Sequence, residues 1–118
     1  MMRTRIVVKF DIQGLHFWNT CDIKEVSYLK HTHRHKFYFR CEKEVTHNDR
    51  QIEIIKFKSD IISWLKATYY CPQCCEHLNF QSLSCEDIAM TTLREFNLDL
   101  CEVLEDNENG AIVIDDNS

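Results

Sequence analysis

Six histidines occur in the chain, and three of them crowd into one short segment, His31-Thr32-His33-Arg34-His35. On an extended strand, residues two apart share a face, so His33 and His35 point the same way as Phe37 and Phe39. In the first segment, the alternation of Ile6, Val8, Phe10 and Ile12 runs on with the same parity through Gly14 to His16. If the two segments pair, three imidazoles converge at one end of a sheet. Three neutral histidine ligands leave one position of a tetrahedral zinc open for water or substrate, as in catalytic rather than closed structural sites. The expected ligands are His16, His33 and His35, with His31, His47 and His77 outside the set. A His31/His33 register competes, because His31 has the same parity. Without a metal, the segment reads as a polar, partly solvated strand end.

A second cluster is Cys71-Pro-Gln-Cys74, half of a zinc-ribbon pattern, which Cys75, His77 or Cys85 could complete. The usual second Cys-x-x-Cys is missing, so a loop of reduced thiols is the competing reading. A redox role wants a thioredoxin-like βαβ setting, which the pattern does not offer. Seven cysteines is an odd number, and the start MMRTRIVVKF has no apolar stretch of signal-peptide length, so reduced thiols and a cytoplasmic location are expected.

The elements that must position these residues follow from periodicity. A strand through Ile6–His16 is followed by an irregular stretch, and a second strand runs from near His31 to about Val45. Thr46-His47-Asn48-Asp49-Arg50 turns the polypeptide, and 52–55 reads as a short strand. Ser59 is expected to cap a helix carrying Ile61, Trp64, Leu65 and Tyr69 on its buried face. Ser84 caps a second helix with the stripe Cys85, Ile88, Ala89, Thr92, Leu93 and Phe96, and Glu86 suits the positive end of its dipole. A strand over 98–105, a turn at 107–110 and a strand over 111–114 follow, with Asn109-Gly110 as the hairpin signal. Trp18 sits near the proposed mouth. The order predicts an α+β domain with helices grouped against an antiparallel sheet.

A length of 118 residues suits one domain, and 44% hydrophobic with 28% charged residues excludes disordered and low-complexity classes. No apolar run is long enough to cross a bilayer, so no membrane partner is expected. Residues 1–60 hold 12 Lys/Arg against 8 Asp/Glu, whereas residues 61–118 hold 2 against 11. That acidic second half makes nucleic acid an unexpected partner.

Several segments, taken in order, resemble the 6-pyruvoyl tetrahydropterin synthase / 6-carboxytetrahydropterin synthase family. They are Leu15-His16 with Ile12 four residues earlier; His33-Arg34-His35-Lys36-Phe37 against a His-Gly-His-Asn-Tyr segment; Glu76-His77-Leu78-Asn79; Leu83–Ala89; and the late Glu105. The resemblance extends from about Arg5 to Val113. It implies a tunnelling fold (T-fold), a four-stranded antiparallel sheet with two helices on one face, assembling as a homo-oligomeric ring. It also implies zinc on the three histidines and a lyase-like reaction on 7,8-dihydroneopterin triphosphate with loss of triphosphate. By the same resemblance, Cys21, Glu76 and His77 are the proton-transfer candidates, and Glu105 and Ser84 bind the pterin-like substrate. The sequence departs from the family at Arg34, which replaces a glycine, and at Cys21, which eleven residues separate from His33. The alternatives are a T-fold pterin- or purine-binding module without the chemistry, and a small zinc-stabilised interaction protein built around Cys71 and Cys74.

Overall fold

The structure, a computed structural model, describes residues 1–74 and 76–116. Strand β1 (Thr4–His16) and strand β2 (His33–Val45) form a long antiparallel pair in which His16 faces His33 and Gly14 faces His35. The alternation read in the sequence sets their faces. Val8, Phe10, Phe37, Phe39 and Cys41 are buried, while Lys9 and Asp11 are exposed. Helix α1 (Ile54–Thr68) packs on β1, and helix α2 (Cys85–Phe96) packs on strands β4 (Leu100–Glu105) and β5 (Asn109–Ile114). Both helices share one core with the buried face of the sheet, to which Ile61 and Leu65 contribute from α1 and Ile88, Ala89 and Leu93 from α2.

With a two-residue strand β3 at Leu78–Asn79, the sheet is five-stranded and mixed, in the order β3-β1-β2-β4-β5. This corrects the expected four-stranded antiparallel T-fold sheet with two helices. Strand β3 (Leu78–Asn79) runs parallel to the end of β1, because the segment returning from α1 buries Leu78 and Phe80 there. Phe80 N–H donates to the Leu15 carbonyl at 2.8 Å, and Phe17 N–H to the Gln81 carbonyl at 2.9 Å. A third helix, of 3₁₀ type, occupies Lys24–Lys30 in the stretch expected to be irregular.

Local corrections have local causes. Residues 52–55 do not form a strand. Glu53 caps α1 instead, its carboxylate accepting from the N–H groups of Ile55 and Lys56, so Ser59 lies inside the helix. Ser84 does cap α2, its hydroxyl accepting from Asp87 N–H. The β4–β5 corner falls at Asp106 and Asn107, with φ 54° and 60°, and Asn109-Gly110 belongs to β5. Two consecutive positive φ values are what a type I′ corner requires, and Glu108 N–H closes it onto the Glu105 carbonyl at 2.9 Å. Cys71 and Cys74 form a disulfide rather than a pair of free thiols. Both sulfurs are thereby withdrawn from any zinc site, and Cys75 lies outside the described residues. Cys21, Cys41, Cys85 and Cys101 are free and buried.

Gly14 is required by space rather than by backbone conformation. A Cβ there would lie 2.5 Å from the Phe80 ring and 2.8 Å from the Phe37 ring. Those two rings, almost fully buried, form the floor on which the histidine end of the sheet rests.

Candidate metal centre

The β1–β2 register brings His16, His33 and His35 together, with ring centroids 4.5 Å, 5.0 Å and 5.4 Å apart. One nitrogen from each lies within 4.8 Å of the other two. The Nδ1 atoms face outward onto acceptors. His16 Nδ1 meets the Leu83 carbonyl at 3.1 Å, His33 Nδ1 the His31 carbonyl at 2.8 Å, and His35 Nδ1 the Asp106 carboxylate at 2.7 Å. A carbonyl or carboxylate oxygen can only accept, so each Nδ1 carries the proton and donates. In the neutral ring, Nε2 then holds a bare lone pair. All three Nε2 atoms are buried and lack a hydrogen-bond partner among the described residues. Imidazoles whose far nitrogen is fixed by a carbonyl or carboxylate, with converging unprotonated nitrogens, are what a transition metal needs. The donor set fits such an ion.

Glu105, at the end of β4, reaches into the cluster. Its Oε2 lies 2.9 Å from His16 Nε2 and its Oε1 3.6 Å from His35 Nε2, at ion-pair distance but without hydrogen-bond alignment. Contact with His16 holds the Glu105 carboxyl below the usual range despite its partial burial, with His35 and His33 adding to the effect. His16 is pulled the other way. Burial, the largest influence, lowers its pKa, yet Glu105 and the Leu83 carbonyl together raise it above the ordinary value. His33 is lowered, first by burial and then by the neighbouring rings. Asp106 is held low by His35 and by Lys36 N–H.

A cavity of about 600 Å³ opens onto this cluster. Phe17, Trp18, Leu29 and Leu83 give it an apolar wall, and the first turn of α2 forms its rim with Ser84, Glu86 and Asp87. Cys85 lines it as well. Its thiol is pushed up to about 12, mainly by burial and then by Glu105 and Glu86, so it stays protonated and is not a nucleophile.

The structure therefore brings together His16, His33, His35, Glu105 and Ser84. It does not bring in the other three candidates. Cys21 is buried beneath the 3₁₀ helix, its sulfur toward the carbonyls of Ile23 and Val26 at 3.8 Å and 3.7 Å. Glu76 is exposed with φ 71°, and it lines with His77 a separate cavity beside Lys36, Lys66 and Tyr70. His77 Nδ1 faces the Cys74 carbonyl at 2.9 Å. His31 and His47 are exposed and stand outside the cluster. Asp106, the Leu83 carbonyl and Cys85 were not expected at the site. Only Asp106 carried a signal, as the acid directly after Glu105 in a turn.

No family model matches the sequence, and no curated protein matches it. Among solved structures, the protein is similar to an uncharacterized protein from Wolinella succinogenes, with 12% identity and a TM-score of 0.64 over 98% of this chain and 100% of that one. At that identity the likeness concerns the fold alone.

Proposed function

We propose that the protein is a zinc-dependent, tetrahydropterin synthase-like enzyme, in which His16, His33 and His35 hold the metal and the adjoining cavity takes a dihydropterin by its hydroxylated side chain. The observation that carries this reading is the convergence of three buried Nε2 atoms that make no hydrogen bond among the described residues, each with its Nδ1 committed to an acceptor. Zinc, when bound, supplies Lewis acidity to ligand oxygens and so acidifies the groups beside them. The protein's own residues do the rest. Glu105 is a carboxylate held in its ionised form at the floor of the cavity, where it accepts hydrogen bonds from ring N–H and amino groups. Phe17 and Trp18 offer an aromatic wall to a flat ring and exclude water from it.

A second reading, a pterin- or purine-binding module without catalysis, is favoured by the position of Cys21, Glu76 and His77 away from the cavity. One experiment separates the two. Zinc-loaded protein is mixed with 7,8-dihydroneopterin in deuterated water, and binding is followed together with deuterium exchange at the carbon atoms of the ligand's hydroxylated arm. Binding with exchange supports the enzyme, and binding without exchange supports the module. Failure of the protein to retain zinc sinks both.

We also propose a cytoplasmic location, where the Cys71–Cys74 disulfide would form only transiently, and self-association through the open edge of the sheet. No helix among the described residues is long and apolar enough to cross a membrane.

A further inference from the structure

We propose that the Cys71–Cys74 disulfide is a reversible exchange site for cellular dithiols, and that its reduction loosens the short strand beside the metal centre. This goes beyond the functional reading above and rests on it only for the metal. Among the described residues, the other four cysteines are buried free thiols. Cys71 and Cys74 are instead half-buried, with exposed Pro72 and Gln73 between them. Exchange follows access to the sulfur, so the chemistry concentrates at this pair. Cys71 is the sulfur open to attack, because it lines two cavities and Cys74 lines neither. In one of them Lys36 and Lys66 balance Asp11 and Glu76, with His77 beside them, so no excess of negative charge repels an incoming thiolate. The pair is the substrate of exchange rather than an oxidoreductase, so no thioredoxin-like setting is required. A dithiol in its thiolate form attacks Cys71 Sγ. A mixed disulfide forms as the Cys71–Cys74 bond breaks, and Cys74 leaves as a thiolate that takes up a proton. The second thiol of the reductant then attacks the reductant's own sulfur in the mixed disulfide and releases Cys71 as a thiol. Two electrons and two protons pass to the protein, and the dithiol departs as an intramolecular disulfide. An oxidised dithiol reverses both steps.

The consequence for the site follows from what the loop holds. Asn79 N–H donates to the Tyr69 carbonyl at 3.0 Å, so the end of α1 and β3 close a loop around residues 70–78. Inside it, Cys74 N–H donates to the Cys71 carbonyl at 3.1 Å, and the Cys74 carbonyl accepts from His77 N–H and from His77 Nδ1, both at 2.9 Å. The disulfide thus fixes the residue that anchors His77, directly before β3. That strand is two residues long and pairs with Gly14 and Leu15, which precede His16. Beyond β3, the Leu83 carbonyl accepts from His16 Nδ1 at 3.1 Å. So short a strand has little stability of its own, and it opens locally once its tether is cut. Reduction therefore weakens the hold on His16 without touching a metal ligand.

The test uses the full-length protein equilibrated with reduced or oxidised dithiothreitol, freed of reagent, and treated with iodoacetamide without denaturant. Peptide mass mapping is expected to show Cys71 and Cys74 alkylated together after reduction and protected again after reoxidation. Cys21, Cys41, Cys85 and Cys101 should stay unlabelled in both states. Amide hydrogen exchange, read without metal, is expected to quicken about threefold or more at Asn79 and Phe80 in the reduced protein. Cys71→Ser/Cys74→Ser breaks the link and removes thiols that would compete for metal, and its zinc affinity is expected to fall about three- to tenfold. A disulfide that yields only after unfolding, or that does not re-form, overturns the exchange site. Equal amide exchange in the two redox states overturns the loosening of β3. Zinc affinity in the double variant within about twofold of the oxidised parent's overturns the link to the metal centre. A parent that never holds zinc sinks the functional reading above and the metal half of this one, while alkylation and amide exchange still decide the rest.

Discussion

Asp106 shows how a single residue decides what the cluster can bind. It holds the proton side of His35 at 2.7 Å and also accepts from Lys36 N–H at 3.1 Å, so ring and turn are fixed together. In Asp106→Asn the left-handed corner is kept, because Asn tolerates positive φ, but the full negative charge behind His35 is lost. Zinc affinity is expected to fall about 10–100-fold, measured by competition with a chromophoric chelator. His16→Ala and His35→Ala should lose several kcal/mol of zinc affinity, roughly a thousandfold or more, and His31→Ala should bind like the parent. Parental binding by His35→Ala would remove the three-histidine assignment. The same residues give the metal-free protein a pH signature. The folded pKa of His16 lies above 6.5 and that of Glu105 below 4.5, so the pair contributes stability between the two. The His16 contribution is full below its unfolded value and is lost as pH rises through its folded value. The Glu105 contribution is lost as pH falls through its own. In the presence of chelator, urea midpoints should therefore drop more between about pH 6 and pH 8 for the parent than for Glu105→Gln. Parallel curves for the two proteins would show that the contact adds nothing.

Elements matter here through how closely they approach. Gly14 lets β1 lie against Phe37 and Phe80, and Gly14→Ala would press a methyl group into rings that are almost fully buried. A loss of about 1–3 kcal/mol in chemical denaturation is expected from such overpacking. Weaker zinc binding should accompany it, because Gly14 is the cross-strand partner of His35. An unchanged denaturation midpoint would show that the rings can move aside. Ser84→Ala removes the α2 cap beside the cavity and should cost about 1 kcal/mol, read in the same experiment. Alternation made β1, β2 and the His16/His33/His35 cluster legible from the sequence, since a period of two fixes which residues share a face. The start of α1 was not legible. Ile52, Ile54 and Ile55 read as strand formers, and only the folded protein shows Glu53 capping the helix through Ile55 and Lys56. The β4–β5 corner was misplaced because Asn109-Gly110 is the stronger local signal, whereas the real corner is anchored by Asp106 to the distant His35. Two-residue β3 has no periodicity to read. The Leu83 carbonyl behind His16 could not be foreseen either, since it depends on the loop before α2 returning to the end of β1.

Across the whole molecule, the basic and acidic halves of the sequence meet at the site, with the histidines supplied by β1 and β2 and every lining carboxylate by α2 and β4. The sheet that joins them ends on β5, whose outer edge no strand pairs among the described residues. Ile112 and Ile114 are 52% and 53% exposed there, while Ala111 and Val113 turn inward onto the core. An edge strand with free backbone groups and two exposed isoleucines lacks the charges, prolines or bulges that keep edges apart, and a second copy of the protein is its simplest cover. The native mass is therefore expected to be a multiple of 14.1 kDa in sedimentation equilibrium at micromolar concentration. Ile112→Lys/Ile114→Lys places like charges along the edge and should shift the mass toward that of one copy. None of the three histidines lies on β5, so zinc binding measured in the same samples should persist, which distinguishes a separated edge from an unfolded protein. A parent that sediments as one copy would end the proposal of self-association, and a variant that keeps the parent's larger mass would move the contact to another face.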